Sequence, residues 1–326
     1  MKKYITRKIL SSLVLIVMIT MVVFALTHLQ PGNPYLDRLG PDMSAEQFEN
    51  ILRKVGYYDP LWLKYLKWAK GLVQGDLGIS IKHGQPVTNL IRKYLSNSIV
   101  LISISFIISS LLGTIIGMRA GRSRGWFKKI IMSSSVALLS VPSFFVAIIL
   151  MKYFAYDLKL LPSSGMYSLQ LSSTATFIEI SLDRIAHMIL PVTVLVIMNI
   201  PAVIQFTIVN MEKEIGADYI RTAIAKGLSE RVVIWKHAFK NVAVPLVALL
   251  SVQAPMIFSG AMITETIFDY PGMGKLGYDA VMARDYPLIM GVLLVNTIVV
   301  VIVNFSADFI YALLDPRIRL VKEKAS

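Results

Sequence analysis

The side chains that could catalyse a reaction or hold a metal are few in this sequence, and they lie far apart. There is no cysteine, and none of the four histidines has a spacing typical of metal ligands. These histidines are His28, His83, His187 and His237. The glycine-rich segment Gly272–Lys275 lacks both the spacing and the hydroxyl residue of a phosphate-binding Walker A loop, and no other catalytic motif is recognisable. The sequence therefore predicts no catalytic residue, metal site or cofactor site in this chain.

Three ionisable residues, Lys152, Glu265 and Asp308, lie inside strongly apolar stretches, each toward one end. A charge at the centre of a bilayer costs from ~2.5 kcal/mol upward, so such residues are either structural pairs and caps or parts of a transport pathway. We expect Glu265 near the outer face and Asp308 near the inner one. An ion-driven carrier usually needs carboxylates at the midplane or broken helices, and this chain shows no such set. Transport by it would have to be powered by a partner.

The composition indicates a protein that crosses a membrane several times. Hydrophobic residues make up 55% of the 326 residues and charged residues 16%, with a mean hydropathy of +0.63. The net charge is +13, but the basic residues are scattered between apolar segments, which argues against a nucleic-acid partner.

Six apolar segments are predicted to span the bilayer. They are Ile9–Leu29, Ser98–Met118, Ile131–Tyr156, Met188–Val209, Val244–Ile267 and Pro287–Leu314. The first of them could be a signal peptide. Its apolar run is longer than the roughly 7–15 residues of a signal sequence and matches the roughly 20 needed to cross hydrocarbon. We therefore interpret it as a retained span.

The distribution of basic residues predicts the orientation of these spans. Lysine and arginine are concentrated after the second span, in the stretch Glu212–Pro245 and in the C-terminal tail. The alternate loops, residues 156–187 and 269–286, hold two such residues each: Lys159 and Arg184, and Lys275 and Arg284. By the positive-inside rule both termini and the Glu212–Pro245 stretch face the cytoplasm.

The long loop after the first span is predicted to be helical. Ser44 and Gln47 form a capping box before an apolar stripe that ends at Gly56, and Asp59-Pro60 starts a second helix. The stripes consist of Phe48, Ile51, Leu52 and Val55 in the first helix, and of Leu61, Tyr65, Trp68 and Leu72 in the second. The second helix either lies on the outer leaflet, with Trp62 and Trp68 as anchors, or docks an external partner.

The polar stretch Glu212–Pro245 is predicted to form two short amphipathic helices joined by a turn at Gly227, with Ser229 as the second cap. The apolar stripes are Ile215, Tyr219, Ile220, Ala223 and Ile224 in the first helix, and Val232, Trp235 and Phe239 in the second. Lipid does not cover these faces on the cytoplasmic side. We expect another protein to cover them.

Several long segments resemble one family end to end, the permease subunits of ABC importers of the oligopeptide, dipeptide and nickel class. These segments are PGNP (Pro31–Pro34), DPLWLKYLKWAKGLVQGDLG (Asp59–Gly78), LPSSG (Leu161–Gly165), ADYIRTAIAKGLSERVV (Ala217–Val233), ETIFDYPGMGKLGYDAVMARDYP (Glu265–Pro287) and ALLDPRIR (Ala312–Arg319). The resemblance implies an all-α integral membrane protein of six transmembrane helices, with the type I importer permease fold and a cytoplasmic coupling helix. The implied domains are an N-terminal span (1–29), an extracytoplasmic helical segment (30–97), a five-helix permease core (98–314) with a coupling loop (212–245), and a cytoplasmic tail (315–326).

The resemblance also implies partners. These are two ATP-binding cassette subunits that bind ATP and Mg, a second homologous permease in a heterodimer, an external substrate-binding protein, and the inner-membrane bilayer of a bacterial or archaeal cell. The implied cargo is an oligopeptide or dipeptide. Nickel chelates, metallophores or short saccharides remain alternatives within the same machine, and a self-powered secondary carrier is an alternative of another class.

The family carries a coupling loop with the pattern Glu-Ala-Ala, three residues, Gly, whose helix binds the ATPase. Ala223 and Gly227 fill the second alanine and the glycine, whereas Arg221 and Thr222 replace the glutamate and the first alanine. The resemblance therefore assigns ATPase coupling to Asp218, Tyr219, Arg221, Thr222, Ala223, Lys226, Gly227, Leu228, Ser229 and Glu230.

Overall fold

The computed structural model describes residues 2–29, 32–35, 44–123, 125–168 and 174–314. Within these ranges the chain is helical, and its only β-type pairing is one isolated bridge between Ile79 and Pro86. The helices are α1 (Lys2–His28), α2 (Ala45–Lys54), α3 (Leu61–Val73), α4 (Val87–Arg122), α5 (Trp126–Leu139), α6 (Ser143–Leu150, continued by π-type turns over Met151–Asp157), α7 (Phe177–Ile215), α8 (Asp218–Ala225), α9 (Glu230–Val232, continued by π-type turns over Val233–Ala238), α10 (Phe239–Ile267), α11 (Met273–Met282) and α12 (Tyr286–Leu314). The predicted tail, residues 315–326, lies outside the described residues.

Five helices in the described part of the chain are long and apolar enough to cross a membrane. They cover Thr6–His28, Val87–Arg122, Phe177–Ile215, Glu230–Ile257 and Tyr286–Ala307. Helices α5 and α6 are each too short to cross, and they meet at an angle of 101°. They supply a sixth crossing only if the bent pair counts as one span. The all-helical fold class with up to six spans is thereby confirmed.

The third predicted span, Ile131–Tyr156, is divided into α5 and α6 at Pro142, one of the prolines that the sequence predicts to kink a span. The break lies at Ser140–Pro142, and Pro142 takes the extended N-cap position of α6 with φ −64° and ψ 140°. Proline donates no backbone hydrogen bond and forces the residue before it away from helical geometry, so the helix ends and restarts there.

Other helices extend well beyond the apolar segments that predicted them. Helix α4 begins at Val87 rather than near Ser98, and α7 is 39 residues long. High hydropathy marks only the membrane-embedded part of a helix. The polar turns that lengthen the helix at its ends are not apolar, so a search for apolar segments does not find them. Similarly, the segment Asp269–Tyr286, predicted as a loop, contains helix α11.

The chain divides into two compact units. The first comprises Met1–Asn97 and Lys275–Val301. In it, the predicted capping box is confirmed: Ser44 Oγ accepts from the Gln47 amide at 3.2 Å, and Gln47 Oε1 accepts from the Ser44 amide at 3.0 Å. Helix α3 packs along α1, since the hydroxyl groups of Thr20 and Tyr65 lie 3.1 Å apart.

The second unit comprises Ser98–Gly274 and Ile302–Ser326. Here α4 approaches α7 closely along three glycines spaced four residues apart, Gly113, Gly117 and Gly121. A Cβ atom at position 117 would lie 2.6 Å from the Cβ atom of Thr207, so only glycine fits at this separation. The glycines thus bring the C-terminal ends of α4 and α7 together, next to α8.

Candidate functional site

The segment predicted to couple to an ATPase, residues 212–245 (the coupling segment), begins in the last turn of α7. Helix α8 begins at Asp218 after a turn at Gly216 and Ala217, and it is a separate short helix as predicted. The second predicted short helix is wrong as a separate element, because α9 continues through π-type turns into α10. The buried residues Val233, Ile234 and Ala238 supply a continuous apolar face with no glycine or proline to end the helix.

The turn between α8 and α9 depends on Gly227. Its φ of +77° lies in the left-handed region, as the sequence predicted. The Gly227 amide donates to the Ile224 carbonyl at 2.9 Å, and the Leu228 amide donates to the Ala223 carbonyl at 3.4 Å. This pair of bonds is the Schellman arrangement, which satisfies the last carbonyl groups of α8 and reverses the chain.

One face of α8 is covered by the chain itself. Ile220 and Ala223 are buried, 2% and 5% exposed, in a cluster built from the ends of neighbouring helices. The other buried members are Met118 of α4, Met211 of α7, and Val233, Ile234, Ala238 and Val242 around the start of α10. The expectation that another protein covers all the apolar surface is therefore wrong for this face, since α8 folds back onto α4, α7 and α10.

The opposite face exposes apolar side chains. Ile224 of α8 is 60% exposed and Trp235 is 54% exposed, and Leu228 and Val232 lie exposed between them in sequence. Of the stripe predicted for the second helix, Val232 and Trp235 point to solvent, whereas Phe239 packs partly against the buried cluster. A shallow cavity of about 510 Å³ is lined by Arg231, Val232, Trp235 and Lys236.

Polar contacts tie this segment to its neighbours. The Tyr219 hydroxyl donates to Glu214 Oε2 near the end of α7, and Asn241 Nδ2 of α10 donates to the Tyr219 hydroxyl at 2.9 Å. Burial raises the pKa of Tyr219, and its hydrogen bond to Glu214 acts in the same direction. Arg122, the last residue of α4, pairs with Glu230 at 2.6 Å. Helices α4, α7, α8 and α10 are thus joined at one end by side-chain contacts as well as by packing.

The structure brings the ten residues predicted for coupling into one contiguous region, and all but Ala223 are exposed. Asp218 and Arg221 lie one turn apart on α8, with Arg221 Nη1 3.5 Å from Asp218 Oδ1. Ser229 occupies the N-cap position of α9, but its hydroxyl makes no capping bond. Sequence reasoning missed Glu214, Asn241 and Arg122, because nothing in their spacing indicates which distant residue each one contacts.

Glu265 lies near the end of α10 and is completely buried. Its Oε1 atom accepts from Ser98 Oγ at 2.5 Å, and its Oε2 atom accepts from the Gly274 amide at 2.7 Å. A Cβ atom at Gly272 would come within 2.2 Å of the Glu265 carboxylate, so glycine is required there. The carboxylate also faces the first amides of α11, where the helix dipole favours negative charge.

Of the other two charges in apolar stretches, Lys152 pairs with Asp157 at 2.5 Å. Asp308 belongs to α12, and its side chain lies outside the described residues.

The arrangement of long apolar helices with a short amphipathic helix at one end has counterparts among solved membrane proteins. Solved inward-facing structures of the MetNI methionine ABC transporter have the same fold. One of them covers 70% of this chain and 97% of its own chain, with a TM-score of 0.54 at 13% sequence identity.

The chain belongs to the family of binding-protein-dependent transport system inner membrane components. The profile of that family matches residues 113–320, and a profile of the N-terminal part of such membrane components matches residues 1–86. Among curated relatives, the oligopeptide transport system permease protein AppB of Bacillus subtilis is 34% identical over 98% of this chain and 99% of its own length. The dipeptide transport system permease protein DppB of Escherichia coli is 33% identical over 92% and 94%. These comparisons confirm the predicted family and fold.

Proposed function

We propose that this chain is one of two permease subunits of an ATP-driven importer of oligopeptides or dipeptides. The names of the relatives support the cargo, since permeases of oligopeptide and of dipeptide systems both align over nearly the whole chain. Both termini and the coupling segment face the cytoplasm of a bacterial or archaeal cell, in accordance with the positive-inside count.

The observation that carries this proposal is that one face of α8 and of the turn after it is buried while the other face is exposed. The inner face is packed into the protein, and the outer face leaves large apolar side chains in water with basic residues around them. A groove on an ATPase subunit with apolar walls and acidic edges would complement this surface. The contacts on this outer face would come from Ile224, Leu228, Val232 and Trp235, flanked by Arg221, Lys226, Arg231 and Lys236.

The packed inner face supplies the mechanical connection. ATP and Mg are bound by the two ATPase subunits, whose closure moves α8 as a rigid body. Because Ile220 and Ala223 are embedded among the ends of α4, α7 and α10, this movement displaces those helices together. The spans then alternate between inward-open and outward-open arrangements around a path shared with a second, homologous permease.

Cargo selection belongs to the external binding protein rather than to this chain. Glu265 is enclosed and fully engaged with Ser98 and Gly274, which supports a structural role and not a place in the path. Because the sequence places no charged residue at the middle of a predicted span, the path discriminates weakly between peptides of different sequence. The binding protein delivers its ligand to the outer ends of the spans.

Reconstitution in liposomes tests this proposal. The chain with its partner permease is expected to take up labelled dipeptide only when the ATPase subunits, internal ATP and the external binding protein are all present. Uptake by the permeases alone in an ion gradient would instead establish a secondary carrier. The ligand that the purified binding protein retains distinguishes peptides from nickel chelates, metallophores and saccharides.

A further inference from the structure

A cavity in the first unit has no part in the coupling just described. It has a volume of about 480 Å³ and lies where α1 ends and α12 begins. Phe24 and His28 line it from α1, Tyr286 from α12, and Lys64 and Trp68 from α3. The rings of His28 and Tyr286 lie 5.0 Å apart, so the ends of the two helices meet at the cavity.

The cavity lies where two membrane-length helices have their ends. The membrane-length part of α1 stops at His28, and that of α12 starts at Tyr286. Helix α3 runs beside the last turns of α1, where the ring of Tyr65 packs against Phe24 at 5.3 Å. On its other side α3 exposes Trp62 and Leu66, at 64% and 56%. A helix with apolar residues on both sides and tryptophan at a span end is typical of one embedded among lipid headgroups.

Two hydrogen-bond donors on α3 line the cavity one turn apart. Lys64 Nζ donates to the Tyr57 carbonyl at 2.5 Å and lies 5.2 Å from the centre of the Tyr57 ring. Among the described residues no carboxylate lies within 4.0 Å of this ammonium group. Burial lowers the pKa of Lys64, and the more distant Asp59 carboxylate acts in the opposite direction. The Asp59 carboxylate nearby is engaged by Lys67 at 2.5 Å. In the same part of the chain, Trp68 Nε1 is buried and has no acceptor.

Among the described residues, these donors lack an anion of their own. The nearest counter-charge of the Lys64 ammonium is Asp59, which Lys67 already engages, and the buried Trp68 N–H has no acceptor. An oxygen anion would restore the free energy that both groups lose. The described charges that line the cavity, Lys64, Lys67 and Asp59, sum to one net positive charge. The walls are aromatic, which suits a ligand that is charged at one end and apolar at the other.

We propose that this cavity binds the phosphate group of a membrane phospholipid, with the Lys64 ammonium and the Trp68 indole N–H donating to phosphate oxygens. The glycerol and the first acyl carbons then lie against Phe24 and Tyr286, and the acyl chains continue into the bilayer beside α1. With the topology proposed above, the lipid belongs to the outer leaflet. Its binding holds α3 against the ends of α1 and α12.

Native mass spectrometry of the intact transport complex in detergent tests this inference. Phosphatidylglycerol is titrated into wild-type complex and into complexes carrying Lys64→Gln or Trp68→Phe in this chain. Removing the charge is expected to weaken binding of one lipid by about tenfold, the equivalent of one charge-assisted hydrogen bond. Trp68→Phe, which keeps a ring but loses the N–H, is expected to weaken it several-fold.

Matched controls lie on the same helix. Lys70→Gln and Trp62→Phe change exposed residues outside the cavity and are expected to leave lipid binding unchanged. Lys64→Arg retains the charge and is expected to bind lipid to within about twofold of wild type. Equal binding by wild type, Lys64→Gln and Trp68→Phe would overturn the proposal.

Two further ligands separate the possible sources of the signal. Diacylglycerol, which has no phosphate, is expected not to occupy the site, and equal binding of it would show that phosphate is not recognised. Millimolar inorganic phosphate is expected not to displace the lipid. Displacement would show a site for a free anion instead of a lipid site.

Discussion

The carboxylate of Glu265 accepts a hydrogen bond of 2.5 Å from the hydroxyl of Ser98, a residue 167 positions earlier in the chain. The same hydroxyl accepts from the Met273 amide at 2.7 Å. One buried carboxylate thus joins the end of α10, a point within α4 and the first turn of α11.

Glu265→Ala is expected to destabilise the protein by about 2–5 kcal/mol, because the Ser98 hydroxyl and the Gly274 amide lose a buried acceptor. Glu265→Gln keeps one carbonyl acceptor and is expected to cost less. Thermal unfolding of the purified protein in detergent measures both, with the exposed Asp218→Ala as a control. If Glu265→Ala abolished uptake while the unfolding temperature stayed unchanged, Glu265 would be a pathway residue rather than a structural one.

Gly227→Val is expected to disrupt coupling while the spans remain inserted. A β-branched residue at φ +77° costs roughly 1–2 kcal/mol or more, although no atom lies within 4 Å of where its Cβ would be. The strain falls on the turn between α8 and α9 and shifts the exposed apolar face. The measurement is co-purification of the ATPase subunits together with ATP-driven uptake.

Gly125→Val is the matched control for that change. Gly125 precedes α5 with φ −98° and ψ −164°, an extended conformation that valine adopts without strain. This variant should retain both the ATPase subunits and uptake. Undiminished ATPase binding and uptake in Gly227→Val would contradict the assignment of this turn to coupling.

Trp235→Ser should weaken ATPase binding without affecting stability, whereas Ile220→Ala should lower stability. Trp235 is exposed, so its loss should weaken ATPase binding and leave stability within about 0.5 kcal/mol of wild type. Ile220 is buried, so its truncation should cost about 2–5 kcal/mol of stability. Pull-down and thermal unfolding are compared for both variants. A stable Ile220→Ala variant would show that α8 is not anchored as described.

Single cysteines test the orientation, because the natural chain contains none. Ser229→Cys should react with a membrane-impermeant maleimide only after the cytoplasmic side is opened. Ser164→Cys, exposed in the segment between α6 and α7, should react in intact cells. The reverse pattern would invert the topology and place α8 away from any cytoplasmic ATPase.

The sequence predicted most of the features that depend on residues close together in the chain. Apolar runs located the membrane-length helices, Ser44 and Gln47 gave the capping box, and Gly227 gave the left-handed turn. Helix lengths were less predictable, because the polar turns at the start of α4 carry no periodic signal. A kink at Pro142 was predictable, but its size was not, because proline is tolerated inside membrane helices, as Pro191 and Pro201 are in α7.

Contacts between distant residues could not be predicted from one sequence. The apolar stripe of α8 was recognisable, but its division into a covered face with Ile220 and an uncovered face with Ile224 depends on where α4 and α10 lie. The same holds for Glu265, whose partners Ser98 and Gly274 come from other helices. The apolar stretch around Glu265 indicates that a charge there is unfavourable, but it does not show which groups stabilise the carboxylate.

The division of α8 into two faces separates two kinds of constraint on its sequence. Substitutions at Ile220 or Ala223 affect the packing of the fold. If the proposed function is correct, substitutions at Ile224, Lys226 or Trp235 affect only the binding of the ATPase. A few surface side chains would then determine which ATPase this permease accepts, independently of its transmembrane helices.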